Sequence, residues 1–138
     1  MAAFTTEALV RERFQLGDAA RVPSELIEQV IEEAHGEVLR RLSPNVETDP
    51  PGVGLVVGES LLAGARLYGA LAAKDAFDVK QVTLGSNVVS DGNRFQALMT
   101  MAAWLEDQAW YLLEPSGAER PARTVVDATD SQVVLGEA

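Results

Sequence analysis

His35 is the only histidine in the chain, and it stands among Glu32, Glu33 and Glu37. An imidazole beside carboxylates is the smallest kit for moving a proton near neutral pH. The spacing places His35 on the polar side of a helix, which predicts a solvated ring rather than a catalytic one. Ser60 lies in "GESLLAG", Gly58–Gly64, close to the G-x-S-x-G nucleophile elbow. That motif needs glycine where Leu62 stands, and no second histidine exists to relay a proton. No cysteine is present, which removes thiol catalysis, disulfides and thiolate metal sites. A single histidine also excludes a two-histidine metal site within one chain. The acids from Glu25 to Glu37 lack the glycine-turned loop of a calcium site and predict a solvated face. No phosphate-cradling glycine loop occurs. The expectation is a non-enzymatic chain with no catalytic, metal-binding or cofactor-binding residues.

The 138 residues suit one domain, and 47% hydrophobic with 23% charged residues suits a packed core. A net charge of −10 argues against a surface that grips phosphate. The acidity sits at both ends: ten acids against five bases to Pro50, four of each to Thr100, then seven against two. The opening "MAAFTTEALVRERF" lacks a basic start and apolar run, so no secretory leader is expected there.

Periodicity predicts a mainly α fold, a small bundle of about four helices with an inserted β-hairpin and an extended C-terminal arm. Helix one starts with Thr5 as N-cap, Phe4 and Leu9 forming a hydrophobic staple, and stops at Gly17. Helix two is capped by Ser24 and aligns Leu26, Ile27, Val30, Ile31, Ala34, Val38 and Leu42. The proline-rich loop "SPNVETDPPG" follows. Helix three, from about Val53 to Phe77, is apolar nearly all round. Its Gly54, Gly58, Gly64 and Gly69 each cost about 1 kcal/mol against alanine, so a close helix neighbour is expected. Its length approaches a membrane span, but Glu59 and Arg66 interrupt one face and favour a buried soluble helix.

Val82-Thr83-Leu84 and Asn87-Val88-Val89 flank Gly85-Ser86 and predict a hairpin over about 79–91. Ser90 or Asp91 then caps helix four, with a core stripe of Phe95, Leu98, Ala102, Leu105, Ala109 and Leu112. Trp104, Trp110 and Tyr111 lie off that stripe, which makes them a candidate subunit interface. Residues 1–114 form the helical domain in this reading, and 115–138 the arm.

The order of a short capped helix, "SELIEQVIEEAHGEVLRRL", a glycine-rich apolar helix, "VKQVTLGSNVVSDG" and "NRFQALMTMAAWLEDQAWYLL" resembles the head–tail connector proteins of tailed bacteriophages. These are also called head-completion or neck adaptor proteins. The resemblance implies a structural virion protein that docks as a ring, typically dodecameric, beneath the portal. It would be assembled in the host cytoplasm and located at the head–tail junction. The free form is left open between a monomer that waits for the portal template and an assembly. Its partners would be the portal protein and a neighbouring neck or tail protein, with DNA sliding through an acidic channel without specific binding and with no membrane. The hairpin residues Val82, Leu84, Gly85, Ser86, Val88 and Val89 would face the channel or a neighbour. Arg123, Val125, Val126, Val133, Val134 and Leu135 of the arm would grip the portal. The competing expectation is a cytoplasmic helical adaptor or regulatory subunit that binds a protein through its tail.

Overall fold

The computed structural model describes residues 2–17, 19, 21–82 and 87–117, with backbone alone for 75–82 and 87–93. Among these residues the chain is mainly helical: α1 (Glu7–Phe14), α2 (Ser24–Arg41), α3 (Val53–Val82) and α4 (Asn87–Leu113). A 3-10 turn, Glu114–Ser116, closes α4.

The starts of α1 and α2 depart from the expected caps. Thr6, not Thr5, caps α1, its hydroxyl accepting the Leu9 N–H. The helix ends on Gln15 in the left-handed region (φ 56°), ahead of Gly17. Ser24 makes no cap bond; Pro23 precedes α2, and the Ser24 hydroxyl donates to Glu7 at 2.6 Å instead. Arg11 holds the connection between the two helices. Its guanidinium donates to Glu7, to the Leu16 carbonyl and to the Val22 carbonyl, each at 2.8 Å.

The hairpin is replaced by helix. Residues 79–82 are the last turn of α3, and Asn87, Val88 and Val89 are the first turn of α4. Leu84, Gly85 and Ser86 lie outside the described residues, and no strand forms among the described ones. Physically, valine costs only a few tenths of a kcal/mol against a typical helix residue. A bundle that pairs α3 with α4 along their length overrides so small a preference.

α3 is the central helix, with α1 and α2 on its first half and α4 along it. The core joins Val10 of α1 and Ile27, Val30, Ala34 and Val38 of α2 to Leu55, Leu62 and Leu67 of α3 and Ala109, Trp110 and Leu113 of α4. The expected α4 stripe is largely this inner face, with Ala102, Leu105 and Ala109 buried. Val53–Lys74 is long and apolar enough to cross a membrane, and more than half of that stretch is buried against the other helices.

Three of the four α3 glycines stand where neighbours press closest. A Cβ on Gly58 would lie 2.7 Å from Leu113 Cγ, and one on Gly64 would strike the Phe14 ring. Gly54 faces the Leu112 carbonyl oxygen, which a Cβ would meet at 3.3 Å. Gly69 has open space around it. Gly58→Ala and Gly64→Ala should each lose about 1–3 kcal/mol by overpacking. Gly69→Ala should gain up to about 1 kcal/mol. Urea denaturation of the three variants checks both signs.

Candidate interaction surface

Glu59 is fully buried in the middle of α3. A carboxylate without water must find donors from the protein. The Thr5 N–H donates to its Oε2 at 2.8 Å, and His35 Nδ1–H donates to its Oε1 at 2.6 Å. Beside it, the Thr5 and Ser60 hydroxyls bond each other at 2.5 Å, and Ser60 donates to the Val56 carbonyl at 2.8 Å. The Phe4 ring meets the His35 ring edge-on at a centroid distance of 4.8 Å. His35 is therefore buried, not solvated as its acidic neighbours imply, and only 7% of it is exposed. The signal was available: His35 lies four residues after Ile31 and three before Val38, on the apolar face.

Two turns along α3, Arg66 makes the opposite arrangement. It donates to both oxygens of Glu37 on α2, at 2.8 and 2.9 Å, and to Glu106 on α4 at 2.9 Å. Burial works against its charge, but the bonds to Glu37 and then Glu106 outweigh that and raise its pKa above the ordinary arginine value. Among the described residues no three acidic or histidine side chains are placed to share a metal ion. An open groove of about 340 Å³ beside His35 carries Glu7, Glu28 and Glu32 at its edge.

The outward side of α4 is different in kind. Met101, Trp104 and Tyr111 are exposed, Trp104 by 56% and Tyr111 by 71%. A groove of about 640 Å³ runs past Gln96, Ala97, Thr100, Met101 and Trp104. Large side chains this exposed on an acidic domain mark a contact surface more often than chance.

The expected interface residues divide. Trp104 and Tyr111 share this face, but Trp110 points the other way, 2% exposed in the core, with the Arg41 guanidinium 6.0 Å over its ring. A step of six residues from Trp104 to Trp110 turns the helix well past the shared face. Val82, Val88 and Val89 sit on the helix ends around the α3–α4 connection. Arg123, Val125, Val126, Val133, Val134 and Leu135 lie outside the described residues. Compared with protein-family models, curated proteins and solved structures, the chain matches none.

His35→Ala would leave the Glu59 carboxylate buried with one donor fewer. Leaving a buried polar group short of a hydrogen-bond partner costs about 1–3 kcal/mol, which chemical denaturation will read directly.

Glu7 supplies a pH test. The Ser24 hydroxyl, then Arg11, holds its carboxyl below the ordinary value of 4.5. A lowered folded-state pKa means stability present above the ordinary pKa and lost as pH falls through the lowered one. Ser24→Ala should move the Glu7 midpoint upward in an NMR titration.

Proposed function

We propose that this chain is a structural subunit of the head–tail junction of a tailed bacteriophage, a connector that self-associates into a ring beneath the portal. The exposed methionine and aromatic face of α4 is the observation that carries the reading. A chain with net charge −10 gains nothing in solubility from such a face, and a protein partner is what rewards it. The resemblance in element order supports the same assignment, with a helical pair in place of the hairpin.

The α3–α4 pair takes over the hairpin's expected role. On α3, α1 and α2 bond Glu59 and Arg66, and the Phe14 ring of α1 meets the Tyr68 ring edge-on at a centroid distance of 5.7 Å. From Gly69 to Val82 the helix continues for about 21 Å at 1.5 Å per residue. That end of the pair would face the channel or a neighbouring subunit, and 115–138 would form the arm on the portal. The acidic balance suits a conduit, because a negative lumen repels phosphate and lets DNA slide.

Quantitative mass spectrometry of purified virions or DNA-filled heads tests this directly. A copy number equal to that of the portal protein is expected. Absence from particles, with the chain abundant in the soluble lysate, would overturn the connector reading in favour of a helical adaptor.

A further inference from the structure

The imidazole of His35 has a second nitrogen that the Glu59 network leaves unused. Its Nδ1–H is committed to Glu59. Nε2, across the ring, is buried and has no hydrogen-bond partner among the described residues. A buried polar atom without a partner costs about 1–3 kcal/mol, so an unpaired one needs a reason. The ring borders the open groove of about 340 Å³ between residues 3–7 and α2, where Glu7, Glu28, Glu32, Ala3 and Ile31 line the space with it.

The groups around this groove decide what it fits. With the proton on Nδ1, Nε2 presents a lone pair. The carboxylates of Glu7, Glu28 and Glu32 are acceptors too, and among the described residues no lysine or arginine lines the groove. An anion would meet three like charges. A metal ion would lack ligands, since no three acidic or histidine side chains are placed to share one. Glu28 and Glu32 stand four residues apart and His35 three beyond, so all three share one side of α2. Like charges at that spacing cost a few tenths of a kcal/mol, a second imbalance that a cation relieves. The space matches the low end of small-molecule sites, about 300–1,000 Å³, and Ala3 and Ile31 give it an apolar wall.

We propose that this groove binds a primary alkylammonium. Its N–H groups donate to His35 Nε2 and to the carboxylates of Glu28 and Glu32, and its alkyl stem lies on Ala3 and Ile31. The end of a lysine side chain and a free polyamine share this chemistry. Nothing in the site depends on assembly into a particle, so its test is separate from that of the connector reading.

One histidine in the chain means one pair of imidazole nitrogen resonances. The full chain, labelled with nitrogen-15 histidine, is titrated with n-butylammonium at a pH where the ring is neutral. Tetramethylammonium, which has the same charge and no N–H, is the control. A saturable shift of the Nε2 resonance is expected with butylammonium and not with the control. For so small a probe the dissociation constant should be on the order of 1 mM. Glu28→Gln and Glu32→Gln, both exposed and harmless to the fold, should each weaken binding by up to about fivefold.

The same response to both ions would reduce the effect to screening of an acidic surface and overturn the proposal. So would no response to butylammonium, or a proton found on Nε2 instead of Nδ1, which would make the groove's nitrogen a donor. Two further probes separate the sources. Binding of acetyl-Gly-Lys-Gly-amide as tight as that of butylammonium assigns the site to a lysine of a partner protein. Tighter binding of spermidine alone assigns it to a polyamine.

Discussion

Glu59 has no water to turn to, and the first three helices are arranged around that fact. Its two oxygens take one donor from the residue pair ahead of α1 and one from late α2. Sliding α1 by a residue removes the Thr5 N–H, and rotating α2 removes the imidazole. Either leaves a buried carboxyl group short of a partner, a loss of about 1–3 kcal/mol in a fold whose whole margin is about 5–15 kcal/mol. Thr5 is engaged twice, through its N–H and its hydroxyl. This is why the cap of α1 passes to Thr6.

Apolar burial and this polar network do different jobs. Ile27, Leu55, Leu62, Leu67, Trp110 and Leu113 are essentially without solvent contact. Burying each apolar side chain is worth about 1.5–3 kcal/mol, so the packing supplies the driving force. The hydrogen bonds of Glu59 contribute little net energy once desolvation is subtracted. What they add is discrimination between helix arrangements that would bury similar area. Arg66 extends the discrimination to α4: its fork takes Glu37 bidentately and Glu106 with the remaining nitrogen. α3 thus carries one acceptor for α1 and α2 and one donor for α2 and α4. The glycines let the partners come close enough to use them.

What was legible in the sequence follows from what periodicity measures. The apolar face of α2, the inner stripe of α4 and the demand for close neighbours at Gly58 and Gly64 were all readable. Each is a repeated signal, or a cost that needs an offset. The misreadings rest on single residues. His35 was judged by its acidic neighbours in the chain, which point elsewhere, and not by its distance from Ile31 and Val38. Glu59 reads as an interruption because a carboxylate's partners lie 54 and 24 residues away. The valines around Gly85-Ser86 carry a real β preference, but one worth less than continuing two packed helices.

α4 is apolar on two sides, and only one of them is spent on the core. α2 makes the contrast: its inner face holds Ile27, Val30, Ile31, Ala34 and Val38, and its outer one keeps Glu25, Glu28, Glu32 and Glu33 toward water. The same economy applied to α4 would place charge at Met101, Trp104 and Tyr111. Bulky rings at such positions expose apolar area that water penalises at about 25 cal/mol per Å², without return until something covers it. Their arrangement also matters, because scattered exposed residues need no explanation whereas these share one face. The inner face of α4 fixes that surface rigidly against α3, through Ala109 and Leu113 packed on Gly58. A rigid helix face needs little ordering when it is covered, so more of the buried area is kept as affinity.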